Sequence, residues 1–316
     1  MKITIVAFDI WGFNKFIANR LMQLGHEVTF INSFEIRYIY KNKWERIGNL
    51  FSKIFLKKNI KKVFIDETLL NKINELSQQD QILIINPSYF KNSHLELLKT
   101  KTNRFLAYNY DSLSRIPLPD NYEKLFEKIF SFDIDDVKQH KFLNLLTNFI
   151  YLDKNHNPSP SNKAFMILSK SKEREIILHK IATILDYKKV HNYEFIILNP
   201  SVKTGNTKIT LTKKHISLPV VEQKMKDSEI LIDLIRDNQT GLSFRIFEAM
   251  ALQKKIITNN ETIKEYDFYN PNNILILNKE VSNIDDTFLN NEYEDVPTEI
   301  YEKYTIDGWV KNVFYN

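Results

Sequence analysis

The stretch NQTGLSFRIFEAMALQKKIITNN (residues 238–260) decides how this chain is read. A Thr-Gly turn opens it, an amphipathic run follows, and KKIIT returns to a strand pattern. Leu242, Ile246, Ala249 and Met250 recur at helical spacing, on a face suited to packing against a sheet. Thr240 can cap such a helix. Gly241 lets an anion approach the free N–H groups of the first turn, where the helix dipole favours negative charge. Arg245 and Glu248, three apart, are neighbours on one face. The Arg245 fork matches phosphate oxygens, and the Glu248 carboxylate, which only accepts, suits a pair of vicinal ribose hydroxyls. The same spacing also describes a plain Arg–Glu pair on an exposed face, worth a few tenths of a kcal/mol. Spacing leaves both readings open.

Working outward, strand and helix patterns alternate along the whole chain. MKITIVAFDI reads as a buried strand, and Phe16, Ile17, Leu21 and Leu24 continue it as a helix that Gly25 ends before the strand at Val28. ETLLNKINEL, LELLKTK and a KLFEKIF helix alternate with the strands QILIINPS and RFLAYNY. AFMILS, YEFIIL, EILIDLI, KKIIT and NILIL are strands of a second series, interleaved with EREIILHKIATIL, PVVEQKMKDS and GLSFRIFEAMAL. Such alternation predicts α/β architecture with parallel, doubly wound sheets. The polar, proline-bearing segment DKNHNPSPSNK (153–163) separates the two series. We therefore expect a Rossmann-like domain over 1–152, a linker over 153–163, and a second Rossmann-like domain over 164–316. The two would face each other across a cleft, with the amphipathic C-terminal segment (300–316) packing back on the first.

Composition narrows the function classes. The chain has no cysteine, so disulfides, thiolate metal sites and thiol chemistry are excluded. The N-terminus lacks the pattern of a signal peptide, and no apolar run approaches the ~20 residues that span a bilayer. The net charge of +5 is unevenly spread. Arg37, Lys41, Lys43, Arg46, Lys53, Lys57, Lys58, Lys61 and Lys62 face only Glu35 and Glu45, which leaves residues 35–62 at +7 and the remainder near −2. Tyr38, Tyr40, Trp44, Phe51, Ile54, Phe55 and Leu56 alternate with these cations. A basic, aromatic surface of this kind attracts anionic lipid headgroups or an acidic acceptor, and a solvated face would show the same composition. No nucleic-acid signature accompanies it, so no nucleic-acid partner is expected.

The opening stretch also resembles a known family. GLSFRIFEAMALQKKIIT is similar to the donor helix of bacterial GT-B glycosyltransferases, a Gly with Glu-Ala-Met-Ala seven residues on, followed by a strand. Thr240 stands where many retaining members carry a first glutamate, Ser243 where many carry glycine, and Gln253 and Lys255 replace the usual Gly and Pro. QTGLSFRIFEA, YNYDSLSR and KIFSFDIDDVKQH are closer to a group of polysaccharide and lipopolysaccharide biosynthesis proteins. The resemblance implies transfer of a sugar from a nucleotide-sugar to a bacterial cell-surface glycan, in the cytoplasm or at the inner face of the membrane. It places Glu248 at the donor ribose and Arg245, Ser243 and the Gly241 backbone near the diphosphate. Arg174 would reach the same phosphates. Arginines and a helix N-terminus offset the leaving charge in such enzymes, so neither metal nor cofactor is expected. The acidic cluster at 133–136 reads as a solvated turn.

An inverting transfer needs a group to accept the acceptor's hydroxyl proton. Asp111, just past a strand end, is the first candidate and Asp9 the second; Gly12, Asn14 and Arg115 belong to the same acceptor-side loops. Asp111 is equally placed to shape a turn through its own backbone. A nicotinamide-dependent Rossmann enzyme is disfavoured, because FDIWGFN follows the first strand where Gly-x-Gly-x-x-Gly would be required. A non-catalytic GT-B-like protein that binds a glycan, a membrane or a partner is the remaining alternative.

Overall fold

The computed structural model describes residues 1–316 apart from 119–120, 156, 158, 200–207, 215 and 279. The first series runs β1 (Lys2–Ala7), α1 (Phe13–Gln23), β2 (Glu27–Asn32), α2 (Lys43–Phe55), α3 (Ile60–Asn74), β3 (Gln79–Ile85), α4 (Asn92–Thr100), β4 (Thr102–Asn109), β5 (Lys128–Ser131), α5 (Ile134–Gln139) and β6 (Leu143–Leu145). The second runs β7 (Asn162–Ser169), α6 (Lys172–Tyr187), β8 (Tyr193–Leu198), β9 (Ile209–Thr212), α7 (Leu218–Lys226), β10 (Ser228–Asp233), α8 (Phe244–Leu252), β11 (Lys255–Thr258), β12 (Ile274–Ile276), α9 (Asp286–Asn290), α10 (Thr298–Lys303) and α11 (Ile306–Phe314).

These elements form two compact units. One holds residues 1–132 and 136–146, the other 133–135 and 147–316. Each contains a six-stranded sheet, ordered β2-β1-β3-β4-β5-β6 in the first and β12-β11-β10-β7-β8-β9 in the second. All strand pairs are parallel. A parallel sheet is covered on both faces, and β7 and β10 show the period of two that this requires. Ala164, Met166, Leu168, Ile230 and Ile232 enter one core of the second unit, while Phe165 and Leu231 enter the other. The α/β, doubly wound expectation holds in both units.

Three local expectations differ. KLFEKIF yields only a 3-10 turn at Tyr122–Lys124. Phe126 packs on Phe105, with ring centroids 4.5 Å apart, and the Glu127 N–H donates to the Phe105 carbonyl at 2.8 Å, so β5 pairing begins before a helix can extend. The segment 153–163 is tied into the second unit: the Asn155 N–H donates to the Ala251 carbonyl at 2.9 Å and Asn157 Nδ2 to the Lys226 carbonyl at 3.1 Å. His156 and Pro158 lie outside the described residues. The C-terminal segment packs on residues 147–150, within the expected 1–152, but those residues belong to the second unit, so the boundary between the units falls earlier than expected. Trp309 Nε1 donates to the Thr147 carbonyl at 3.1 Å, and the Ile150 N–H donates to the Tyr304 carbonyl at 2.7 Å. Among the described residues no helix is long and apolar enough to cross a membrane.

Candidate functional site

In an open parallel sheet, ligands bind beyond the carboxyl ends of the strands where the strand order reverses. In the second unit that point lies between β7 and β10, whose last residues are Ser169 and Asp233. Arg174, from the first turn of α6, donates through Nη2 to the Ser169 carbonyl at 3.0 Å and through Nη1 to the Leu234 carbonyl at 3.3 Å. Arg236, in the loop after β10, donates to Ser169 Oγ at 3.0 Å. Two guanidinium groups thus meet at one strand end. Asp233 is buried beside them, and burial pushes its carboxyl above the usual range, with Ser243, Arg245 and Arg174 acting in the opposite direction. Its Oδ2 has no hydrogen-bond partner. Sequence reasoning found Arg174 but missed Arg236 and Asp233; the available signal was their position at the end of a strongly apolar strand.

The opening stretch is built differently from its expectation. Helix α8 begins at Phe244, and its N-cap is Ser243, not Thr240. Ser243 Oγ accepts the Arg245 N–H at 3.1 Å and donates to Asp233 Oδ1 at 2.6 Å. The Thr240 and Gly241 N–H groups are already occupied. Both donate to Asp133 Oδ2, at 2.7 and 3.0 Å, and Thr240 Oγ1 donates to Asp133 Oδ1 at 2.6 Å. The anion seat that Gly241 offers is therefore filled by a carboxylate of the chain itself. This corrects two expectations, since Asp133 is buried rather than part of a solvated turn. Asp136 of the same cluster is buried too, and its Oδ2 accepts the Leu113 N–H at 2.7 Å. From the other side, Asn260 Nδ2 and Thr262 Oγ1 donate to the Thr240 carbonyl, at 2.8 and 3.1 Å.

Arg245 and Glu248 do pair, with Nη1 3.2 Å from Oε2, but the pair is buried: Glu248 keeps only 4% of its surface exposed. The Tyr151 hydroxyl donates to Glu248 Oε1, and the Arg245 guanidinium lies 5.9 Å from the centre of the Phe165 ring. Burial and the neighbouring Glu248 carboxylate raise the Tyr151 hydroxyl far above its usual range, so it remains a donor. The exposed-pair reading is excluded by burial, and Glu248 faces Arg245 and Tyr151. Tyr151 carries no motif and was invisible in the sequence.

In the first unit the strand order reverses between β1 and β3. Asp111 lies beyond β4, held by Asn86 Nδ2 at 3.1 Å, the Tyr89 hydroxyl at 3.2 Å and Arg115 Nη1 at 2.9 Å. Burial first, then the Asp111 charge, push the Tyr89 hydroxyl up to about 12. Asn86, with φ of 48°, takes the left-handed conformation that turns its amide toward the β4 loop, where its Oδ1 accepts the Tyr110 N–H at 2.9 Å. Asp9 is spent locally, its two oxygens accepting the Gly12 and Asn14 N–H groups at 2.8 and 2.9 Å. Burial raises its carboxyl against the pull of those N–H groups. That arrangement makes Asp9 a loop staple rather than a free base. Gly12, at φ of 82°, lies on the wall of a 550 Å³ cavity that also includes Trp11, Lys15, Phe34 and Arg37. Asn14 is buried behind it.

No protein-family model matches this chain, and no curated protein matches it. Solved structures do. A UDP-forming α,α-trehalose-phosphate synthase from Burkholderia xenovorans, in complex with glucose-6-phosphate, matches 99% of this chain and 98% of its own at 10% identity and a TM-score of 0.58. The N-terminal domain of a Candida albicans trehalose-6-phosphate phosphatase matches 98% of this chain and 95% of its own, at 11% identity and a TM-score of 0.52. Staphylococcus aureus TarM, with UDP and α-GlcNAc-glycerol bound, matches 81% of this chain and 59% of its own, at 14% identity and a TM-score of 0.52. At such identities the likeness concerns fold. Two doubly wound parallel units in one polypeptide, matched over nearly the full chain, give this protein the GT-B glycosyltransferase fold.

Proposed function

We propose that this protein transfers a sugar from a nucleotide-sugar to a hydroxyl of a bacterial cell-surface glycan precursor, such as a lipopolysaccharide or capsule intermediate. The observation that carries the proposal is the meeting of Arg174 and Arg236 at Ser169, at the strand-order reversal of the second sheet. Two guanidinium groups there suit a diphosphate. As the bond from the sugar's anomeric carbon to the diphosphate breaks, the departing oxygen takes the electron pair, and preplaced cations stabilise that charge. They supply the role a metal would otherwise fill, so activity is expected to survive a chelator. Arg245 adds a third positive charge, with Glu248 and Tyr151 fixing its orientation. Glu248 would reach a ribose only by exchanging those partners.

On the acceptor side, Asp111 is the group proposed to meet the acceptor hydroxyl, with Asn86, Tyr89 and Arg115 holding it in place. The cavity beside Gly12, lined by Lys15 and Arg37 and also by Asp9 and Glu35, with Trp11 more than half exposed, suits a polar, sugar-bearing acceptor. The acceptor would be met at the inner face of an anionic membrane, toward which the basic 35–62 segment would turn.

The test is thermal stability against UDP, GDP, CMP, dTDP and ADP with and without their sugars. A ligand at 100 times its Kd stabilises by about 2.7 kcal/mol. One nucleotide should raise the melting temperature of the wild type and fail to do so in the Arg174→Ala/Arg236→Ala variant. No shift with any nucleotide, or an equal shift in the variant, overturns the proposal. A second reading, a non-catalytic GT-B-like binding protein, draws support from Asp133 filling the Gly241 seat and from the burial of Glu248. Nucleotide binding without transfer to any lipid-linked or capsular acceptor would select it.

A further inference from the structure

Helix α2 is amphipathic with its faces reversed. Trp44, Ile47, Phe51, Ile54 and Phe55 recur at i, i+3, i+7, i+10 and i+11, and at about 100° per residue they form one stripe. Such a stripe normally faces a core. Here Trp44 is 79% exposed, Phe55 73%, Ile54 63% and Phe51 57%. The one buried residue of the helix is polar: Asn49, on the opposite side. Asn49 Oδ1 accepts the Ile60 N–H at 2.9 Å, and its Nδ2 donates to the Tyr40 hydroxyl at 2.7 Å. Glu45, partly buried, accepts from the Tyr38 hydroxyl and from the Lys41 N–H. Hydrogen bonds therefore tether α2 to its unit while its apolar side is left outward.

We infer that α2 is a membrane-docking element, its apolar stripe entering the outer acyl region of an anionic bilayer and its flanking cations meeting lipid phosphates. Lys43 borders the stripe, Lys57 and Lys58 follow the helix end, and Arg46 and Lys53 lie further round the helix; all are exposed, as is Leu56 at 67%. Thirteen residues give a helix of about 20 Å, too short to span a bilayer but suited to lying in its interface. The charge selects the occupant. A second copy of this face would bring two strongly cationic rims together, and stable protein interfaces are depleted in lysine. A nucleic acid would satisfy the cations and leave the aromatic stripe in water. An anionic lipid surface satisfies both. The inference deepens the membrane reading given above; it concerns lipid binding alone and stands or falls independently of sugar transfer.

The experiment is co-sedimentation of the full chain with vesicles of phosphatidylcholine alone and with about one-third phosphatidylglycerol, which supplies the anionic surface. Wild type should bind the anionic vesicles far more tightly than the neutral ones. Trp44→Ser/Phe51→Ser/Phe55→Ser should weaken binding on the order of a hundredfold, as should Lys53→Ser/Lys57→Ser/Lys58→Ser. Circular dichroism and melting temperature, read on both variants, verify that each is folded, and Asn49 is left in place to keep the tether. Absence of wild-type binding to anionic vesicles overturns the inference. So does binding that survives the aromatic variant, which would make the effect purely electrostatic. A wild-type dimer abolished by that variant, with no vesicle binding, assigns the stripe to self-association and also overturns it.

Discussion

Replacing Asp133 with alanine tests the account of the Thr240–Gly241 turn. The side chain is 2% exposed and accepts the backbone N–H groups of Thr240, Gly241 and Asp135 and the Thr240 hydroxyl. Hydrogen bonds to a charged acceptor contribute about 1.5–3 kcal/mol each, and a buried donor left unpaired costs about 1–3 kcal/mol. The Thr240 hydroxyl can turn to water, because Thr240 is only partly buried. The Gly241 N–H cannot, since Gly241 is buried. Counting the Gly241 N–H as fully orphaned and the Thr240 N–H as partly rescued, while the Thr240 hydroxyl and the Asp135 N–H, on partly exposed residues, regain water, Asp133→Ala should cost roughly 3–4 kcal/mol. For a unit of this size that lowers the melting temperature by roughly 10 °C. Asp133→Asn, which keeps an acceptor but loses the charge, should cost about half as much. The assay is urea and thermal unfolding of both variants alongside Asp135→Ala, a partly exposed neighbour expected to change little. If Asp133→Ala stays within about 0.5 kcal/mol of wild type, the carboxylate does not hold the turn, and the Gly241 N–H is open to a ligand phosphate after all.

The buried pair on α8 makes a second prediction. Arg245→Ala leaves Glu248 charged and buried with Tyr151 as its donor, and should cost about 3–5 kcal/mol of stability; an unchanged unfolding midpoint would contradict the burial of the pair. Lys255 makes a third. It is buried, its Nζ donates to the Phe288 carbonyl at 2.6 Å, and burial lowers its pKa from 10.5 to about 8. A lysine depressed in the folded state binds fewer protons there than in the unfolded chain, so it penalises folding below pH 8. That penalty is lost as pH rises from about 8 to 10.5. Stability of wild type relative to Lys255→Met should therefore rise across this window by up to about 3 kcal/mol. Urea unfolding of both proteins at pH 7.5 to 10.5 measures it, and a flat difference would refute it.

Sequence alone determined the architecture. Strands such as ILIDLI and AFMILS are apolar on both faces, helices alternate with them, and only parallel sheets covered on both sides bury such strands. It also determined which helix starts beside the second sheet's strand-order reversal, because α8 follows β10 directly in the chain. It recognised the cations of residues 35–62 from local composition. What it could not decide was which polar groups satisfy one another. Asp133 and Gly241 are 108 residues apart, and Tyr151 and Glu248 are 97 apart. No local pattern marks such a partner, since hydrogen bonding to a buried group depends on folded distance and not on spacing. The Thr-Gly turn read as an open anion seat because its occupant comes from a different part of the chain. Helix α2 shows the same limit in reverse. Its mix of aromatic, apolar and basic residues was visible in the sequence, but which side faces outward depended on Asn49 finding Ile60 and Tyr40, and only the tertiary structure supplied that.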